Sequence, residues 1–269
     1  MRKKVVFTDM DGTLLDHDTF SIRLAVASVD LLIRRGFPVV PVSSKTASEI
    51  RGWMRILFLR GPFICENGCG IFIPEGYFGN LPDGAVQNAD GWKIPLASGI
   101  DVVREKLRDA AREAGVVYRG FEKMSREEIS RYSGLRGDEL QACLEREYDE
   151  PFILERNGEI ERLRLPAKRN GLVLTRGGRF HHAADGCDKG RAVRILADLY
   201  REMDSEVLTI AVGDSQNDLS MLQAVDKGYL VRKPDGTYDP EVPETAASRV
   251  QGIGPKGFRA VIEEIIYFG

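Results

Sequence analysis

Cysteine is scarce. There are four in 269 residues, and the nearest pair, Cys65 and Cys69, has three residues between rather than the two of a zinc knuckle. That is too few for a disulfide framework, so all four are expected to be reduced thiols in a cytosolic protein. Histidine is rarer still, at three, and forms no His/Cys cluster of the kind that holds a soft metal. No apolar run approaches the roughly 18 residues of a membrane span. After Met-Arg-Lys-Lys only Val5, Val6 and Phe7 precede Thr8 and Asp9, too few for the apolar region of a signal peptide. The expectation is a soluble chain that stays in the cytoplasm. A dominant charge is also missing: 38 basic against 41 acidic residues gives −3, which removes the electrostatic ground for nucleic-acid or membrane partners. A small molecule is the expected partner. Repeats and low-complexity tracts are absent too.

What is present is ordinary globular composition, 43% hydrophobic and 29% charged, with length for one large domain or two modest ones. Val5 to Thr8 reads as a buried strand ending in Asp9-Met10-Asp11-Gly12-Thr13. Ser21 to Arg35 follows at helical spacing and stops at Gly36 and Pro38. Pro38 to Val42 is a second strand, about 47 to 59 a second helix, and Phe63 to Cys65 a third strand. This alternation predicts a parallel sheet covered by helices, with ligands at the carboxyl ends of its strands. Residues 80 to 98 form a turn-rich boundary. Beyond it lie an amphipathic helix near 100 to 114, helical residues between 126 and 146, a strand at 151 to 154 and a hairpin about Gly177-Gly178. Residues 156 to 170 are ambiguous, because Pro166 interrupts a helix-like charge pattern. From Lys189 the α/β rhythm returns. The reading is a split α/β domain (residues 1–82 and 186–269) with an α+β insert (83–185). Trp53, Trp92 and the aliphatic helical stripes are assigned to core packing.

Chemistry concentrates at two strand ends. Asp9 and Asp11 sit two apart after the first strand, with Gly12 permitting a sharp turn; a surface Asp-Gly turn is the plainer reading. Gly213-Asp214-Ser215-Gln216-Asn217-Asp218 follows another apolar strand, where the plainer reading is an Asx-rich helix cap. Two such carboxylate pairs at one sheet edge repel each other strongly unless a cation lies among them. Mg²⁺ is the most economical choice, since it takes carboxylates, phosphate and water and avoids soft ligands. Lys189, opening a helix after Asp188, is a candidate for neutralising a phosphate, against the alternative of a solvated surface lysine.

Taken together and in order, Asp9-x-Asp11-Gly12-Thr13, Ser43 at the end of the second strand, Lys189 after the insert and Gly213-Asp214-Ser215-x-Asn217-Asp218 resemble the four motifs of the haloacid dehalogenase (HAD) phosphatases. The insert between the second and third motifs resembles the Cof-like branch, which carries an α+β cap on a Rossmann-like core. Within it, Ser43-Ser44-Lys45-Thr46, Glu66-Asn67-Gly68, Arg146 to Phe152, Gly178-Arg179-Phe180-His181 and Asp188-Lys189-Gly190 are similar to the mannosyl-3-phosphoglycerate phosphatases. The resemblance implies that Asp9 is the nucleophile and Asp11 the acid and base. It implies a Mg²⁺ site of Asp9, Asp11 through its backbone carbonyl, Asp214 and Asp218, and phosphate contacts from Ser43, Lys189 and Asn217. It also implies a phosphorylated sugar-glycerate substrate, for which Lys45, Arg179 and His181 are candidate contacts; each has a plainer reading as a loop or hairpin residue. Asn67-Gly68 is expected to be a tight turn. A glucosyl substrate, a broader sugar-phosphate phosphatase of the same fold, a phosphomutase and an inactive binding module are the competing readings.

Overall fold

The computed structural model describes residues 2–156, 158–177 and 180–267. The expected α/β architecture is present, built on three sheets. The first has five parallel strands in the order β13-β12-β11-β1-β2, with β1 at Lys4–Thr8, β2 at Val39–Pro41, β11 at Leu208–Gly213, β12 at Lys227–Arg232 and β13 at Ser248–Ile253. β1 pairs with β11 from Lys4 opposite Leu208 to Thr8 opposite Val212. Side chains alternate across these strands. Val6, Ile210 and Val212 pack with α1 (Val26–Arg34), α2 (Ala47–Ile56) and α9 (Pro255–Tyr267). Val5, Phe7 and Ala211 face α7 (Lys189–Met203) and α8 (Leu219–Leu222). Both faces are covered, which is why these strands read as continuous apolar runs. The first helix begins at Val26 rather than at Ser21, since the residues before it form turns.

The second sheet is antiparallel, with β3 (Phe63–Cys65), β4 (Gly70–Pro74), β5 (Val86–Asn88) and β6 (Gly91–Pro95) in the order β3-β4-β6-β5. β5 and β6 therefore fall inside the stretch expected to be a turn-rich boundary. Their glycine, asparagine and proline content reads as turns, and pairing of β6 with β4 and of β5 with β6 supplies what local propensity lacks. The third sheet is also antiparallel: β7 (Tyr118–Gly120), β8 (Glu150–Leu154), β9 (Leu172–Gly177) and β10 (Phe180–Asp185), in the order β7-β8-β10-β9. It carries its own core. Val103, Leu107 and Ala110 of α3 (Ile100–Ala114) and Leu163 and Ala167 of α6 (Ile160–Arg169) pack against Tyr118, Phe152 and Ala183. α4 (Arg126–Ser133) and α5 (Gly137–Leu144) close a satellite cluster with Phe121 and Phe180. The ambiguous segment is thus largely helix α6, with Pro166 buried inside it.

The expectation of four reduced thiols is corrected. Cys69 and Cys187 form a disulfide across 118 residues of sequence, with Cα atoms 5.1 Å apart, while Cys65 and Cys143 are free and buried. Near-neighbour spacing could not disclose a pair that only the fold brings together. Among the described residues no helix is long and apolar enough to cross a membrane.

Candidate active site

Three chain segments bring their charged ends to the carboxyl edge of the parallel sheet. β1 delivers Asp9, whose N–H continues the ladder by donating to Val212 at 2.9 Å. The turn beyond needs Gly12, where φ is +83° and a Cβ would lie 2.7 Å from Asp214 Oδ2. β11 delivers Asp214, and the Asp214 and Ser215 N–H groups donate to Asp218 Oδ2 at 3.0 and 3.1 Å. α7 delivers Lys189 in its first turn, after Asp188 caps the helix by accepting from the Arg191 N–H. The fully buried Lys189 ammonium donates to Asp9 Oδ1 at 2.6 Å and to Asp218 Oδ1 at 2.7 Å.

Carboxylate oxygens of Asp9, Asp214 and Asp218 lie within 4.8 Å of one another. One ammonium among three carboxylates leaves a net negative charge in a buried place. Burial, with the neighbouring Asp218 charge, pushes the Asp9 carboxyl above its ordinary range against the pull of Lys189. Asp214 is pushed well up by burial and by Asp218 and Asp9. Burial works to lower Lys189, but the charges of Asp218 and Asp9 outweigh it and hold the ammonium above its usual range. A hard cation resolves this imbalance, and the all-oxygen donor set suits one. Both Asp218 oxygens are already engaged, which leaves Asp9 and Asp214 the freer donors.

Asp11 points elsewhere: its Oδ2 lies 2.8 Å from Lys45 Nζ, and its Oδ1 is buried without a partner. Burial opposes the Lys45 charge, but Asp11 and Glu49 raise its proton affinity further. Ser43 is buried at the end of β2, its Oγ accepting from the Lys45 N–H. Asn217 donates to Asn67 Oδ1 at 3.3 Å. His181 is half-buried on β10, its ring 5.5 Å from that of Phe152. Arg179 lies outside the described residues. A cavity of about 600 Å³ joins Asp9, Asp11, Lys45, Asp214 and Asn217 below to Phe121, Arg146, Phe180 and His181 above.

A second polar cluster joins two segments that carried the resemblance, Glu66-Asn67-Gly68 and Arg146 to Phe152, whose meeting the sequence did not disclose. Glu66 and Asn67 both hold positive φ, at 47° and 58°, uncommon for residues with a Cβ. The Glu66 carboxylate accepts from the N–H groups of Glu147, Tyr148 and Asp149. Asn67 donates to Asp149 Oδ2 at 2.8 Å, and Asp149 Oδ1 meets His182 at 2.7 Å and Arg146 at 3.2 Å. Burial works to raise Asp149, yet His182, Arg146 and Asn67 together hold it below its usual value. The expected turn at Asn67-Gly68 is there in the backbone, and the Asn67 side chain ties Asn217 to the α+β unit. Its foundation is close packing: a Cβ on Gly68 would lie 2.2 Å from the Asp188 carbonyl oxygen, and the disulfide follows at the next residue. The sequence signals for this cluster were the two resembling segments, with nothing to mark His182 as their partner.

An α/β core with an inserted α+β cap, a buried lysine among aspartates at the strand ends and a roofed cavity define a capped phosphohydrolase. The chain belongs to the haloacid dehalogenase-like hydrolase family, whose model matches residues 6–78 and 169–236, and it is an enzyme of the phosphoric monoester hydrolase class. It is 40% identical over 268 residues to glucosyl-3-phosphoglycerate/mannosyl-3-phosphoglycerate phosphatase of Methanococcoides burtonii, covering 98% of this chain and 97% of the relative. It is 34% identical over 228 residues to mannosyl-3-phosphoglycerate phosphatase of Pyrococcus furiosus, covering 85% and 90%. Among solved structures it is similar to a HAD phosphatase from Bacteroides thetaiotaomicron, with a TM-score of 0.68 at 19% identity over 100% and 96% of the two chains. A HAD subclass IIB sugar phosphatase gives 0.65 at 17%, covering 99% of each. At those identities the structural likeness speaks for the fold.

Proposed function

We propose that the protein is a Mg²⁺-dependent phosphatase that hydrolyses mannosyl-3-phosphoglycerate to mannosylglycerate and phosphate. The observation that carries this reading is the cluster of Asp9, Asp214 and Asp218 around Lys189, with Asp9 and Asp214 lining the floor of a cavity roofed by the cap. Asp9 attacks phosphorus in line, the bond to the leaving oxygen breaks, and Asp11 gives that oxygen a proton. Water then attacks the aspartyl-phosphate, Asp11 takes its proton, and the bond to Asp9 breaks to release phosphate. Lys189, Ser43 and Asn217 bind the phosphoryl oxygens, where charge spreads in the transition state. Asp9, Asp214 and the Asp11 carbonyl would hold Mg²⁺, with Asp218 fixing Lys189 and the Asp214 loop; the ion supplies further neutralisation of phosphoryl charge. Asp11 must leave Lys45 to act.

The names of the 40% and 34% identical relatives support a glycosyl phosphoglycerate as substrate. The first of them includes the glucosyl compound, which makes it the second reading. His181 and the undescribed Arg179 remain candidate contacts for the leaving group. The insert acts as the cap. Because β6 is hydrogen-bonded to β4 and β5 to β6, we place its start beyond Pro95 rather than at residue 83.

The test is phosphate release from mannosyl- and glucosyl-3-phosphoglycerate and simple sugar phosphates, with chelator and with added Mg²⁺. The expected result is a preference for the mannosyl compound, abolished by chelator and restored by Mg²⁺. Equal rates on all esters would overturn the substrate, and activity indifferent to chelator would overturn the metal.

A further inference from the structure

Two cations at the seam between cap and core have more capacity than their partners use. Lys45, with 9% of its side chain exposed, holds Asp11 Oδ2 at 2.8 Å and has only a distant second carboxylate, Glu49 at 3.9 Å. Arg146, with 6% exposed, reaches across from the cap. Its Nη1 donates to the Ser44 carbonyl, next to Lys45, and to Asp149, while its Nε is buried with no partner. Both side chains line the cavity beside Asp9 and Asp11. A buried guanidinium N–H without an acceptor is costly to retain unless a ligand satisfies it. Both cations suit a carboxylate.

We propose that Lys45 and Arg146 form a subsite for a carboxylate on the leaving group, and that filling it draws Lys45 away from Asp11, which frees Asp11 to protonate the leaving oxygen. The inference rests on the phosphatase reading and deepens it: the cavity selects phosphate esters whose alcohol carries a carboxylate, as a phosphoglycerate does. With such an ester bound, the substrate carboxylate takes the place of Asp11 on the Lys45 ammonium. Asp11, released as a carboxylate, takes a proton from solvent, and the phosphorus–oxygen bond breaks as Asp11 hands that proton to the departing oxygen. An ester without a carboxylate leaves Asp11 parked on Lys45, and its alcohol departs unassisted. Selection thus acts on the chemical step as well as on binding.

Two measurements test this. In an Asp9→Asn background, calorimetry compares 3-phosphoglycerate with glycerol 3-phosphate, which lacks the carboxylate. The acid is expected to bind tighter by on the order of 10- to 100-fold. Adding Lys45→Met brings the ratio near one, Lys45→Arg restores most of it, and Arg146→Lys, which keeps a charge beside Asp149, reduces it several-fold. A ratio untouched by Lys45→Met overturns the subsite. With Asp9 intact, Lys45→Met is expected to slow release of phosphate from the glycosyl phosphoglycerate while raising turnover of glycerol 3-phosphate, since nothing then parks Asp11. Equal falls on both esters overturn the coupling to Asp11. Should the unsubstituted enzyme release phosphate from neither, the phosphatase reading fails, and the calorimetric ratio still decides the subsite.

Discussion

Lys189 sits fully buried between two carboxylates, a place where desolvation of each ion is repaid only by close geometry and further hydrogen bonds. Both are supplied, by contacts of 2.6 and 2.7 Å and by the backbone N–H groups on Asp218. Residues of this kind were legible in the sequence because each stands immediately past an apolar strand or at a helix start. Asn67, Asp149, Arg146 and His182 were not, since they meet only when cap and core do. Glu66, in that group, carries a pH signature. Burial foremost, with the Asp149 charge, raises its carboxyl to about 7 from 4.5, against the pull of Arg146 and the N–H groups it accepts from. The folded protein then keeps a proton that the unfolded chain has released between those values. Stability is therefore full below pH 4.5 and declines as pH rises through 7, by at most roughly 1.4 kcal/mol per unit. Urea unfolding from pH 5 to 7.5 at fixed Mg²⁺ should show this decline, and Glu66→Gln should flatten it. Equal slopes in both proteins would remove Glu66 as the cause.

Helix α2 shows how one element serves both fold and site. Thr46 accepts from the Glu49 N–H, Glu49 returns the favour to the Thr46 N–H, and the Thr46 hydroxyl donates to Ala142 in the cap. The capping box fixes the start of the helix two residues after Lys45. Thr46→Ala should lower unfolding free energy by about 1 kcal/mol, and a denaturation midpoint equal to the parent's would show the cap to be idle. Elements with strong periodicity, such as α3 and α7, were readable without the structure. β5 and β6 were not, because three and five residues rich in turn formers become strands only by pairing. In α6, burial of Leu163, Pro166 and Ala167 against the cap core outweighs the hydrogen bond that Pro166 cannot make.

Across the whole molecule, the disulfide closes a loop containing the entire cap, from Cys69 beside the Asn67 turn to Cys187 beside Lys189. A disulfide is typically worth about 2–4 kcal/mol, and more as the loop it closes lengthens. Replacing both cysteines by serine should therefore lower the melting temperature by several degrees. Scanning calorimetry under non-reducing conditions would measure it, and an unchanged transition would mean the link is dispensable. The α/β core with an inserted α+β cap could be read from the alternation of strands and helices interrupted by the insert. The disulfide could not, since nothing local marks two cysteines 118 residues apart as neighbours.

The position of β1 in the sheet has a consequence for synthesis. Its neighbours are β2, made almost at once, and β11, which begins at residue 208. At about 5–20 residues per second, a ribosome leaves one edge of β1 open for roughly 10–40 s. Throughout that interval Asp9 and Gly12 wait for Asp214, while the cap, whose two apolar clusters are complete by Ala183, already has what it needs to collapse. A nascent chain therefore holds a finished roof over a floor that is still being made, and its exposed inner strand β1 is the surface a chaperone would meet.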